Sequence, residues 1–145
     1  MLRRQLLPHG FCLAPMVANT SDIRWSYVNR HPVHIRQGYS IYYTNDSQAL
    51  IVDAVDRLAD AGPNLGRPLV DRLKGAGVHN MKELRPGSRG RSEIRILFVF
   101  DPWRSAILLV GGDKAGDWQG WYRRAIPEAE RLYEQYLKER RSEEE

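Results

Sequence analysis

Apolar positions recur at three- and four-residue spacing in two stretches of the chain and run almost unbroken in two others. From Ser47, which can cap a helix, Leu50, Ile51, Ala54, Val55, Leu58 and Ala59 form one stripe, while Gln48, Asp53, Asp56, Arg57 and Asp60 mostly hold the wet side. Gly62 and Pro63 end that helix. A second stripe, Ile126, Ala129, Leu132, Tyr133, Tyr136 and Leu137, predicts a final helix with Arg131, Glu134, Gln135 and Lys138 outside it. The element begins near Trp118 or Gly120, and because Pro127 suits a first turn, either the main helix starts near Ile126 or a shorter turn over 120–124 precedes it. Between the helices, residues 92–100 are rich in branched and aromatic side chains and read as a largely buried strand. A short arm over 78–84 pairs with it as a hairpin across a loop of turn residues and arginines, 85–91. Residues 106–110, apolar without alternation, suit a strand covered on both faces. Residues 64–77 read as a loop with at most a short extended piece near 69–73, and the charged end, 140–145, as frayed.

Residues 1–43 show neither sustained helical periodicity nor clean alternation beyond a possible short strand at 39–43. The expected organisation is a poorly ordered or divergent extension over 1–43, one folded domain over 44–141 and a charged tail over 142–145. His31 and His34 lack a third or fourth metal ligand at recognisable spacing and read as incidental loop histidines.

Arg95 breaks the pattern, a charge between Ile94 and Ile96 in the most hydrophobic strand. By alternation it shares a face with Glu93 and Leu97. Either that face is wet and Arg95 is an ordinary exposed residue, or Lys82, Arg85, Arg89, Arg91 and Arg95 converge from neighbouring strands and their loop on one phosphate-bearing ligand. The chain of 145 residues carries a net charge of +4, with basic side chains concentrated between Arg67 and Arg95, a distribution that favours a polyanionic partner without choosing among RNA, DNA and acidic protein. A lone Cys12 excludes an intramolecular disulfide and a cysteine-built zinc site. No apolar run is long enough to cross a bilayer. Pro8, His9, Gly10 and Pro15 interrupt the would-be core of a signal peptide, so the reducing cytoplasm is the expected compartment.

Three segments, MKELRPGSRGRSEIRILFVFDPW, LLVGGDKAG and WYRRAIPEAERLYEQYLKE, resemble the RelE/ParE superfamily of bacterial toxins, in particular its HigB-type, phage-derived branch. The resemblance runs from about Ser47 to Glu139. It implies an α+β fold, a small twisted antiparallel sheet packed against helices, here with an irregular N-terminal extension. It also implies a cytoplasmic toxin neutralised by a cognate antitoxin of helix-turn-helix type, cutting messenger RNA on the ribosome without metal or cofactor. On this reading Arg85 and Arg95 hold the phosphate, Lys82 stabilises charge or transfers a proton, and Lys114 is a second candidate acid. Tyr122 belongs to the site because family members often place a tyrosine near the start of this helix. Arg89, Arg91, Lys74 and Trp118 are the expected RNA contacts, the ring by stacking an unpaired base. Alternation warns that Lys82 and Glu83 cannot both point into one cleft without a bulge. Family members open with a strand and a helix that residues 1–43 do not visibly match, which leaves a divergent opening, a misassigned start and a degenerate copy as explanations. The ParE-like alternative, on the same scaffold, is a non-enzymatic inhibitor of DNA gyrase.

Overall fold

The computed structural model describes residues 5–6, 12–18, 22–26, 33–36, 45–78, 80–87 and 90–144, with side chains from residue 49 onward. Helix α1 (Asn45–Ala61) begins two residues before Ser47 and ends at Gly62, whose φ of 57° is the left-handed conformation that closes a helix. A single 3-10 turn (Gly62–Asn64) follows. The strands β5 (Val70–Arg72), β6 (Lys82–Leu84), β7 (Ile94–Phe100) and β8 (Ala106–Asp113) pair antiparallel in chain order, and α2 (Trp118–Glu144) returns across them. The expected α+β class is therefore borne out.

Four strands also lie in the stretch expected to be irregular, β1 (Gln5–Leu6), β2 (Cys12–Ala18), β3 (Asp22–Ser26) and β4 (Val33–Arg36). They extend the sheet from its other side, β4 pairing parallel with β8 through Val33↔Ala106 to Ile35↔Leu108. The possible strand at 39–43, His31 and the side chain of His34 lie outside the described residues.

The period-two alternation of β7 sorts the core into two layers. Ile94, Ile96 and Phe98 join Ala106, Leu108 and Leu84 under α1, against Ile51, Ala54, Val55, Leu58 and Ala59. Leu97 and Val99 join Ile107 and Leu109 under α2, against Trp121, Ala125, Ala129, Tyr133 and Tyr136. The sheet is thus covered on both faces, as the unbroken apolar run of β8 requires. Arg95 lies on the α2 face, so that face is covered rather than wet.

Two expectations about α2 are corrected. The helix is continuous from Trp118 through Pro127 to Glu144, with neither a break before Ile126 nor a frayed end at Arg140. A proline inside a helix costs about 3 kcal/mol in isolation, but Trp121, Ala125 and Ala129 are buried on both sides of Pro127, and their packing fixes the helix across it. Toward the far end Tyr136 Oη donates to Asp101 Oδ2 at 2.6 Å, while Asp101 Oδ1 accepts from the backbone N–H groups of Trp103 and Ser105 at 3.0 and 2.7 Å. The β7–β8 turn and the second half of α2 are therefore tied by one buried carboxylate. Leu97 is fully buried under α2, and Leu97→Ala is expected to lower stability by about 2–5 kcal/mol, measured as a reduced midpoint of urea unfolding.

Candidate functional site

Glu83 of β6 registers opposite Leu97, and Lys82 opposite Phe98. Since Leu97 faces α2 and Phe98 faces α1, Glu83 enters the α2 layer and Lys82 leaves it. Glu83 is only 2% exposed, and a carboxylate so far out of water needs strong donors. Its Oε1 accepts from Arg85 Nε at 2.8 Å and lies 2.7 Å from Arg85 Nη2, and its Oε2 accepts from Tyr122 Oη at 2.6 Å. Arg85 Nη2 also stands 3.2 Å from Asp71 Oδ2 on β5, so one guanidinium spans carboxylates from neighbouring strands. Partial burial pulls the Arg85 pKa down, but the bond to Glu83 and the two carboxylate charges outweigh it and leave the pKa raised. Burial, and then the bond to Glu83, push the Tyr122 phenol far above its ordinary range. Tyr122 is therefore a neutral donor.

Arg95 and Lys114 bring charge that no carboxylate among the described residues binds directly. Arg95 Nη1 donates to the carbonyl of Ile94 at 2.8 Å, while its buried Nε has no hydrogen-bond partner among the described residues. Lys114 reaches the same layer because β8 changes phase. Pairing runs Leu97↔Val110 and then Phe98↔Leu108, so Leu109 is the extra residue of a bulge. Ile107 and Leu109 face α2 before the bulge; beyond it Val110, Gly112 and Lys114 do. Gly112 is needed here, since a β-carbon would collide with Trp121 Nε1. The turn after β8 is pinned, with Asp113 Oδ1 accepting from the N–H groups of Glu93 and Ala115, each at 2.9 Å.

The Lys114 side chain is buried, 2% exposed, under the first turn of α2. Its ammonium lies 3.5 Å from the centroid of the Trp118 ring and 3.4 Å from Tyr122 Oη. Burial and the nearby Arg95 charge lower its pKa, against partial support from Glu83 and Glu93. Trp118, by contrast, is 57% exposed, and its Nε1 donates to Glu93 Oε2 at 2.8 Å. In front of this group an open cleft of about 800 Å³ is lined by Arg72, Lys74, Glu83, Trp118, Tyr122 and Arg123.

Of the residues expected to form a site, Arg85, Arg95, Lys114, Tyr122 and Trp118 come together, and Lys74 joins the cleft wall. Lys82 does not, its ammonium lying 5.5 Å from the Phe100 ring centroid on the α1 side. Arg91 is exposed in the turn before β7, and Arg89 lies outside the described residues. Glu83, Glu93 and Asp71 are the contributors that sequence reasoning passed over.

Residues 44–134 match the profile of the family described as Phage derived protein Gp49-like, across both helices and the strands β5 to β8. The chain belongs to the Phage derived protein Gp49-like family. Two curated proteins of Mycobacterium tuberculosis share the same region: "Putative toxin HigB2", 50% identical over 92 residues, and "Putative toxin HigB3", 52% identical over 92 residues. Each match takes in 63% of this chain, but it covers 46% of the former protein and 78% of the latter, so the chain spans about half the length of one relative. No solved structure matches the chain. The resemblance to HigB-type toxins read from the KELR strand, the arginine in the following strand and the glycine-aspartate-lysine turn is borne out by the family match and by these two relatives. Among the described residues no helix is long and apolar enough to cross a membrane.

The burial of Lys114 carries a stability cost with a definite sign. Its folded pKa lies below the unfolded value, so between the two the unfolded chain binds more protons and stability rises with pH. Below that window the cost of the buried ammonium is present in full. Lys114→Met is therefore expected to unfold at higher urea concentration than the wild type at pH 7, with the advantage shrinking as pH approaches the ordinary lysine range. A lower midpoint at pH 7 would mean that the ring contacts outweigh desolvation.

Proposed function

We propose that this chain is the toxin of a type II toxin–antitoxin system and that residues 44–141 form a metal-independent, ribosome-dependent messenger RNA endonuclease. The observation that carries the reading is the grouping of Arg95 and Lys114, cations with no carboxylate bound to either head among the described residues, behind a cleft whose wall holds Glu83 and Tyr122. The names of the two relatives, HigB2 and HigB3, supply the toxin half of the reading. A cognate antitoxin, of helix-turn-helix type, neutralises the protein in the cytoplasm.

In the proposed reaction the ribose 2′-hydroxyl loses its proton and attacks the adjacent phosphorus. The bond to the 5′-oxygen breaks, leaving a 2′,3′-cyclic phosphate and a 5′-hydroxyl. Glu83 is the only carboxylate lining the cleft among the described residues and is the candidate proton acceptor. A phosphate that draws Arg85 toward itself frees a Glu83 oxygen for that role. The Arg95 guanidinium, whose Nε has no partner among the described residues, meets the charge that grows on the phosphoryl oxygens. Lys114, whose pKa is already depressed, gives a proton to the departing 5′-oxygen more readily than an ordinary lysine. Tyr122 stays protonated and orients Glu83 and the substrate. Lys74, Arg72 and Arg123 on the cleft wall hold flanking phosphates.

Brief induced expression in a bacterium, with mapping of new messenger RNA 5′ ends, tests the proposal. Cuts confined to translated regions are expected from the wild type, with a loss of at least about a hundredfold in Arg95→Ala, the scale of removing one oxyanion-binding donor. Growth arrest without cuts, retained in Arg95→Ala, would instead favour gyrase inhibition. Neither cuts nor arrest would mark an inactive relic.

A further inference from the structure

The cleft wall is Trp118 and Tyr122, and Lys114 lies behind it. The ammonium expected to meet a phosphate is hidden by an indole whose other surface is open to solvent. That indole is the single exposed large hydrophobic side chain among the described residues. It is also held from outside the helix, because its N–H is bonded to Glu93, just before β7. Glu93 is in turn fixed by its own backbone, whose N–H is bonded to Asp113 and whose carbonyl accepts from Lys114 N at 3.0 Å. The latch and the covered lysine are therefore tied together at the paired ends of β7 and β8, while the cover sits at the first residue of α2.

Resting on the nuclease reading above, we propose that Trp118 and Glu93 are positioning residues for Lys114. The latched indole holds the ammonium in place until an RNA phosphate replaces it, and the displaced ring then stacks on an unpaired base beside the scissile bond. A cation over an indole face keeps a large electrostatic partner when it leaves water. Exchanging that partner for a phosphate is less costly than stripping a hydrated lysine, and only an anion presented at close range makes the exchange favourable. The same ring, once released, offers the sequence-tolerant stacking surface that single-stranded RNA uses. Trp118 would thus couple the presence of a base to the uncovering of Lys114.

Lysine acetylation of the full-length protein, followed by peptide mapping, tests the cover without RNA. Lys74 and Lys138 are exposed and serve as references, and half-buried Lys82 reports on folding. In the wild type Lys114 is expected to react roughly tenfold more slowly than the references, as a group reached only through local opening does. Trp118→Ala and Glu93→Ala should bring it into the range of the references with Lys82 unchanged. Glu93→Gln, whose amide oxygen can still accept the indole N–H, should keep the protection. Equal, slow Lys114 rates in all of them would overturn the proposal. In a second arm Trp118→Ala meets ribosomes stalled on a messenger bearing 2′-O-methyl groups, which can bind but not be cut. Renewed protection of Lys114 is the expected result, and an unchanged rate would overturn the exchange with phosphate. Absence of messenger cuts by the wild type, with the acetylation pattern as expected, would sink the nuclease reading and leave the latched cover standing.

Discussion

A carboxylate taken almost wholly out of water costs several kcal/mol unless donors surround it, and Glu83 is placed in that position by the register of β6 on β7. Its two oxygens are satisfied from different elements, one by Arg85 beyond the end of β6 and one by Tyr122 of α2. Asp71 extends the grip to β5 through Arg85 Nη2, the nitrogen that also meets Glu83. These three segments are therefore fixed relative to one another by charge-assisted bonds, which tolerate much less misplacement than hydrophobic packing. The first turns of α2 take their position at the cleft from this arrangement.

The bulge in β8 has equal weight on the other side of the site. With strict alternation Asp113 would face α2 and Lys114 would face α1, putting a negative charge where the proposed chemistry needs a positive one. One extra residue, Leu109, reverses this and still leaves both apolar layers filled, since Leu109 and Val110 pack on the α2 side together. Gly112 then lets Trp121 lie against the strand, which brings the start of α2 close enough for Trp118 and Tyr122 to enclose the lysine. A local irregularity of the sheet thus decides which cations gather.

Charge within the site is divided by strand. Arg85 is consumed by Glu83 and Asp71, whereas Arg95 and Lys114 are held close together, with burial and mutual repulsion depressing the lysine's affinity for its proton. Such a pair is unfavourable in the empty protein and becomes favourable when an anion arrives between its members. That is the usual relation between stability and function at a binding site. The lost stability is recovered in the two apolar layers, where β7 supplies buried side chains to both faces and α2 lies along one of them.

The chain by itself determined both helices, the three main strands and the basic character of the hairpin, because apolar periodicity and turn residues are local properties. It also marked Arg95, whose charge is anomalous in any register, and the KELR and glycine-aspartate-lysine segments that carried the resemblance to HigB-type toxins. Other features depended on partners far away in sequence. Pro127 sits inside a continuous helix because buried side chains on either side of it pack on the sheet, which outweighs a local preference. Lys82 and Glu83 exchanged importance because register, which no spacing along a single strand fixes, turned one to each face. Lys114 is a buried cation because a bulge shifts the phase of β8, and the burial of its ammonium under Trp118 exists only once α2 has docked. Sequence set the elements and their chemistry; the pairing of strands and the docking of α2 decided which charges meet.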